Sequence, residues 1–271
     1  MSALRPWAGV ALLLLPVLIW VLSLAANYDV IADVDVSRAS LAPSVDHWLG
    51  CDHLGRDVLW RLITASESFV GPSLFACVVA LVIGVPAGAL SGWLGGLPAS
   101  LTRFGLTTVA SLPRFVLVLL VCAAFGNSVQ LIALAAGVAY APTLAEAIYA
   151  RIQSFRHRGF VLAGQAHGLR SGRILWLHLL WVNHRRLILR HCVQLFAYFL
   201  LLETTLSYIG GLDGAGSFGV AQPDPSWGNM IAFEWREPQA NIWATLAPGL
   251  ATALVLLGAT WTGRSLIEEQ A

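Results

Sequence analysis

Positions 68–102, between Glu67 and Arg103, hold no charged residue at all. Crossing a bilayer as a helix takes about 20 mostly apolar residues. A soluble fold has little use for so long a stretch without a charge. The pattern repeats along the chain. Trp7 to Ala26 is uncharged, Arg114 alone interrupts the stretch from Arg103 to Glu146, Glu203 alone interrupts Arg190 to Leu212, and Pro238 to Gly263 is free of charge. The Arg103–Glu146 stretch is too long for one helix and sufficient for two, with the turn at Gly126-Asn127. Composition agrees: 57% of residues are hydrophobic and 11% charged, against roughly 25% charged in an average soluble domain. The sequence therefore predicts an all-α integral membrane protein with six transmembrane helices. The first, Trp7–Ala26, has an apolar core longer than a cleaved signal peptide needs.

The charges between the spans predict which side each connection faces. Residues 27–68 carry Asp29, Asp33, Asp35, Asp46, Asp52, Asp57 and Glu67 against three arginines. Residues 151–190 carry eight arginines and no acid, and residues 212–238 are acidic again. Basic connections stay in the cytoplasm. The 151–190 segment is then cytoplasmic, 27–68 and 212–238 are periplasmic, and both termini lie inside with Arg5 and Arg264. Three parts follow: an N-terminal segment with the first span (1–26), a periplasmic segment with an interfacial helix (27–68), and a core of five spans (69–271).

Several chemistries are excluded. All sixteen basic residues are arginine, so a Walker A loop, a pyridoxal-phosphate Schiff base and an S-x-x-K hydrolase site are impossible. If ATP drives this protein, another chain hydrolyses it. Cys51, Cys77, Cys122 and Cys192 show no C-x-x-C spacing, and the last three sit in apolar runs as small hydrophobes. His157, His167, His178, His184 and His191 crowd the basic segment without zinc spacing, among arginines that repel a cation. No metal site and no cofactor are expected in this chain. The basic segment suits anionic lipid headgroups better than nucleic acid. An intramembrane enzyme would need paired reactive groups at membrane depth, and the spans hold no aspartate.

Three segments carry more specific information. The first is Phe160-Val161-Leu162-Ala163-Gly164, followed by Gly168, Arg173, Ile174, His178 and Leu180. A short helix from Phe160 with Gly168 near its end is expected. Its plainest reading is an interfacial amphipathic loop, and its sharper one a docking helix for a cytoplasmic partner. The second is His47-Trp48-Leu49-Gly50-Cys51-Asp52-His53-Leu54-Gly55-Arg56-Asp57, with Arg61 beyond. Gly55 fits a turn, Asp57 suits a first helical turn, and Asp57 with Arg61 at i,i+4 predicts an ion pair. The third is Glu203-Thr204-Thr205-Leu206-Ser207-Tyr208-Ile209-Gly210, then Gln222-Pro223-Asp224-Pro225-Ser226-Trp227-Gly228-Asn229-Met230.

Together these resemble the permease subunits of dipeptide/oligopeptide/nickel ABC importers, specifically the second, C-type subunit. Residues 160–178 resemble the family's coupling loop, with Leu162 where it has glutamate, Gly164 where it has a second alanine and Trp181 where it has proline. Residues 47–61 resemble H-x-x-G-T-D-x-x-G-R-D-x-x-S-R, with Cys51 and Trp60 substituted. The later segment resembles E-A-S-L-S-F-L-G and Q-P-P-x-P-S-W-G-x-M, with about eight glycine-rich residues inserted near Leu212–Gly219. The acid that the family places after the first arginine of the third span is absent.

The resemblance implies a type I ABC-importer permease fold in a bacterial inner membrane. It implies a heterodimer with a second permease, two cytoplasmic ATPases that hold ATP and Mg, and a periplasmic binding protein that delivers di- or oligopeptides. Nickel or a metal chelate is the alternative substrate, and a non-transporting scaffold or channel subunit the alternative role. Phe160, Val161, Leu162, Ala163, Gly164, Gly168, Arg173, Ile174 and His178 would meet an ATPase. Gly50, Asp52, Gly55, Arg56, Asp57 and Arg61 would form the periplasmic motif. Glu203, an acid inside a span, reads as an interhelical hydrogen-bonding group or a pathway residue. Arg114 is its candidate partner in either case.

Overall fold

The computed structural model describes residues 5–23, 34–213, 225–236 and 241–268. Leu24-Ala25-Ala26, Asp29, Asp33, the glycine-rich stretch after Asp213, Gln222-Pro223-Asp224 and the Pro238 end of the last predicted span lie outside these residues.

Among the described residues the regular structure is helical. The main elements are α1 (Arg5–Ser23), α2 (Val58–Thr64), α3 (Val70–Leu94), α4 (Gly96–Ala110) and α5 (Arg114–Phe125). They continue with α6 (Val129–Phe155), α7 (Gly159–Ala166), α8 (His184–Asp213), α9 (Trp227–Glu234) and α10 (Ile242–Glu268). Four helical stretches are long and apolar enough to cross a membrane: Val58–Leu94, Val129–Phe155, Ser171–Gly210 and Ile242–Leu266. A fifth crossing is present if α4 and α5 form one bent span. The apolar part of α1, Gly9–Val21, is shorter. Leu14, Leu18, Val82, Leu97, Phe104 and Phe125 are exposed, as lipid-facing side chains of a membrane protein are.

Two expectations change in detail. The third predicted span is not a straight helix: α4 and α5 meet at 79°. Pro113 stands between them with φ −56° and ψ 128°; it offers no N–H and disfavours helical geometry in Leu112 before it. The fifth predicted span, counted from Arg190, begins earlier, at Ser171 within the connection 151–190. Helix α6 runs to Phe155, α7 follows, and a turn at Ser171–Arg173 leads into a π-helical stretch, Ile174–Asn183, continuous with α8. The wider turns bring His178 Nδ1 to 3.2 Å from the Arg173 carbonyl. The turn expected at Gly126-Asn127 is present, with φ +103° at Gly126 and Ser128 capping α6 through the Leu131 N–H at 3.3 Å.

The core centres on α3 against α6, and its spacing explains why. Gly84, Gly88 and Gly92 recur every fourth residue on α3, which puts them on one face. A Cβ on Gly84 would lie 2.8 Å from the Ala141 carbonyl, one on Gly88 would collide with that of Ala145, and one on Gly92 would lie 2.9 Å from Ile152 Cβ. From the other side, a Cβ on Gly137 of α6 would lie 2.7 Å from the Ala76 carbonyl. Small residues let two membrane helices approach backbone to backbone, where dispersion replaces the missing hydrophobic drive. This ladder was open to a reading of the sequence as small-x-x-x-small spacing. One apolar cluster joins Phe69, Ile132, Tyr140, Leu195, Phe199, Leu206 and Trp227. A second joins Ile148, Ile152, Val161, Ile174, Leu175 and Leu179 and seats α7 on the bundle.

Candidate functional site

The segment before α2 folds into a compact knot. Gly55 has φ +79°, and a Cβ there would strike the Asp35 carbonyl, so only glycine fits this turn. The turn brings the Asp52 N–H to the Arg56 carbonyl at 2.9 Å and the Gly55 N–H to the Asp52 carbonyl at 3.0 Å. Asp57 then caps α2, accepting from the Trp60 N–H at 3.0 Å and lying 2.7 Å from His47 Nδ1. Here the predicted Asp57–Arg61 pair is overturned. The Asp57 carboxylate faces back over the start of its helix, and Arg61 points inward to Asp52. Asp52 is 1% exposed; it accepts from the Leu54 and Arg56 N–H groups at 2.9 Å, from Arg56 Nε at 2.8 Å, and from Arg61. Burial pushes its carboxyl up, and the two guanidinium charges outweigh that, so it is held below the usual aspartate value.

A residue far along the chain completes the knot. Glu234, at the end of α9 and 2% exposed, lies 2.7 Å from His53 Nδ1. That hydrogen bond raises His53 above the ordinary histidine value against the opposing pull of burial. Asp52, His53 and Glu234 are the described residues whose ligand atoms come close enough to suggest a cation. Asp52 is already saturated by Arg56, Arg61 and two backbone N–H groups, and Glu234 Oε1 is engaged by His53 while its Oε2 is buried without a partner, so the arrangement reads as an ion-pair knot. Sequence spacing gave no sign of Glu234, which is separated from His53 by most of the chain. Around the knot, Asn241 donates to the Leu49 carbonyl at 2.6 Å, and Trp227 Nε1 to the Leu62 carbonyl at 3.1 Å. Gly50, Asp52, Gly55, Arg56, Asp57 and Arg61 thus come together as one unit joined to α9 and α10.

Glu203 and Arg114 are not brought together as partners. Glu203, fully buried on α8, accepts from Ser207 Oγ at 2.7 Å, and the hydroxyls of Ser68 and Ser226 also face it. It joins α8 to the segments on either side through neutral hydroxyls. Arg114, first residue of α5, donates from Nη2 to Thr143 Oγ1 at 2.6 Å. Its guanidinium lies 4.9 Å from the Tyr140 ring centre and 5.8 Å from that of Tyr198. Aromatic faces attract a guanidinium, which explains how an arginine settles here without an acid.

Helix α7 forms the other candidate surface. Val161 is fully buried in the second apolar cluster, while Phe160 and Leu162 are 47% and 51% exposed. Gly168 ends the turn with φ +76°, its N–H donating to the Gln165 carbonyl at 3.0 Å. The Leu169 N–H closes back on the Gly164 carbonyl at the same distance. Ile174 is buried, Arg173 is exposed and His178 is half-buried. One side chain therefore anchors α7 while its neighbours project outward, together with exposed Trp176, Leu177, Trp181 and Val182 on the following helix. Beside it, Trp93, Arg156, His157, Leu162, Gln165 and Ser171 line a cleft of about 250 Å³.

Comparison with known proteins places this architecture. The chain is 27% identical over 235 residues to a dipeptide transport system permease protein of Alkalihalophilus pseudofirmus, covering 87% of this chain and 75% of that protein. It is 29% identical to a putative peptide permease protein of Brucella ovis, covering 86% and 76%. It is 25% identical to a nickel transport system permease protein of Escherichia coli K12, covering 86% and 81%. Among solved structures, a chain of the inward-facing MetNI methionine ABC transporter overlaps it with a TM-score of 0.48 at 18% identity, covering 77% of this chain and 97% of that one. The family model described as "Binding-protein-dependent transport system inner membrane component" matches residues 84–266, from the glycine ladder through most of α10. With two thirds of its length inside that match, this multi-pass membrane chain belongs to the family of binding-protein-dependent transport system inner membrane components.

Proposed function

We propose that this chain is one permease subunit of an ATP-driven importer of di- or oligopeptides, and that it forms half of the translocation path. The observation that carries the reading is α7: a short helix anchored by buried Val161, with Phe160 and Leu162 left bare between two long helices. An exposed apolar knob at that junction fits a groove on another protein. In this family it is the place where an ATPase subunit docks. The relatives named above supply the substrate class.

The finer assignments follow from that reading. Six crossings with both termini in the cytoplasm agree with the basic 151–190 segment, and α1 then counts as the first crossing despite its shorter apolar stretch. A second, related permease forms a heterodimer with this chain, two ATPases bind ATP and Mg below it, and a periplasmic binding protein meets the acidic side in a bacterial inner membrane. Leu162 stands where the family has glutamate, so α7 grips its ATPase through apolar contact more than through a carboxylate. Arg114 faces the path, and Glu203 serves as an internal tie.

The test is purification of this chain with its co-expressed partners. An ATPase and a second permease should co-purify, with vanadate-sensitive turnover and uptake of peptide when the binding protein is added. Phe160→Asp should release the ATPase. A chain that purifies alone, even after cross-linking, would instead support the scaffold role.

A further inference from the structure

We propose that the groove between α8 and α10 binds a free carboxylate of the transported solute. The inference rests on the permease reading above and adds the chemistry that the path selects.

Arg190, Gln194, Ala197, Tyr198 and Leu201 recur along one face of α8 and, with Leu256, Thr260 and Arg264 of α10, line a groove of about 570 Å³. Its floor is apolar, and its polar groups sit toward the Arg190 and Arg264 end. Behind Tyr198 stands Arg114, resting on the rings of Tyr140 and Tyr198. The Tyr140 hydroxyl donates to Gln194 Oε1 at 3.3 Å and lies 3.2 Å from His191 Nδ1. Arg114 and Arg190 both lie close enough to Tyr140 and His191 to act on them electrostatically. Two guanidiniums, Arg190 and Arg264, thus line this part of the groove with Arg114 behind it, and no acid is among its described lining residues.

Unused hydrogen-bonding capacity points the same way. Arg190 Nε and the Tyr198 hydroxyl are buried without a partner. Buried polar groups are normally paired, and Arg114, inside a predicted span, is a cation of the kind that marks a ligand path. An anion with two acceptor oxygens supplies what Arg190 Nε and the Tyr198 hydroxyl lack, and the guanidinium fork matches a carboxylate. The apolar floor beside Ala197, Leu201 and Leu256 takes a side chain or backbone carrying little charge. A bare divalent cation finds only repulsion here. Nickel would have to pass as a chelate that brings its own carboxylates.

The test uses the assembled transporter, purified with its partner subunits and without binding protein. Thermal unfolding is followed during titration with millimolar trialanine, its C-terminal amide, nickel chloride, or phosphatidylglycerol. Trialanine should stabilise the wild-type assembly and the amide should not. Arg190→Gln should weaken that response about tenfold, as expected for loss of a charge-assisted hydrogen bond. Tyr198→Phe, which keeps the ring against Arg114, should weaken it several-fold. An equal response to the amide would overturn the proposal, as would an unchanged response in both variants or no response to trialanine in the wild type. Stabilisation by phosphatidylglycerol alone would assign the groove to a lipid, and by nickel chloride alone to a cation. ATP-dependent trialanine uptake by wild-type proteoliposomes with the binding protein reads the importer role separately. Uptake without carboxylate preference sinks only the groove assignment, whereas absent uptake sinks the peptide reading.

Discussion

Asp52 shows what a single buried charge does in this protein. It holds Arg56 and Arg61, both nearly inaccessible, so Asp52→Ala would leave two buried cations without their counterion. Breaking a buried pair by removing one partner costs about 3–5 kcal/mol. A lower thermal midpoint in detergent, with residues 34–57 more open to protease, is the expected outcome. The His53–Glu234 pair adds a pH dependence. Because the folded state raises the His53 value above 6.5, its stabilising contribution is complete below that value and disappears as pH rises through the elevated one. Wild-type stability relative to His53→Gln should therefore decline across that window, and parallel pH profiles would disprove the coupling. Glu203→Gln should change uptake less than about twofold, since an amide oxygen can still accept from Ser207.

The same residues show where sequence reading stops. The Gly55 turn and the capping role of Asp57 were legible because both are local: one follows from backbone freedom, the other from helix polarity. The partner of Arg61 was not. Spacing at i,i+4 favoured Asp57, but the turn swings Asp52 underneath α2, and tertiary placement outweighs a surface pair worth a few tenths of a kcal/mol. Glu234 and the ring seat of Arg114 depend on segments far apart in sequence, and no periodicity reports such meetings.

At the scale of elements, long uncharged runs located most of the membrane helices, because the length of an apolar run and the thickness of a bilayer are the same physical constraint. Two features escaped that logic. Hydropathy cannot see the bend at Pro113, since apolar residues flank it on both sides. Nor does it mark the start of the fifth span, because the arginines of the basic segment hide the helix that runs on from Ser171. The glycine ladder leads to a direct comparison. Gly88→Leu would push α3 off the Ala145 carbonyl, whereas Gly105→Ala meets nothing within 4 Å. Overpacking a close interface costs about 1–3 kcal/mol or more. Gly88→Leu should reduce the yield of assembled protein, and Gly105→Ala should leave it unchanged. Equal yields would mean that the close approach of α3 and α6 contributes little.

For the whole molecule, the relation between α7 and the bundle matters most. Val161 is seated among Ile174, Leu175 and Leu179, so a push on α7 is delivered to the helix that becomes α8. Val161→Asp would place a charge in that seat. In the purified assembly, ATP turnover should persist while uptake per ATP falls about tenfold, the factor that corresponds to about 1.4 kcal/mol of lost coupling. Loss of both in proportion would indicate detachment of the ATPase instead.

The glycine ladder also has a mechanical meaning. Two helices that mesh backbone to backbone over several turns bend far less readily than either alone, because bending one requires the other to slide against fixed carbonyls. Helices α3 and α6 therefore act as a single stiff beam, and α6, with 27 residues, is about 40 Å long. The bent α4–α5 pair breaks at Pro113, whereas Pro86 and Pro142 lie within the unbroken helices of the beam. A load applied beside Phe155 reaches the far end of the beam as rotation, and the flexing is taken up at that break.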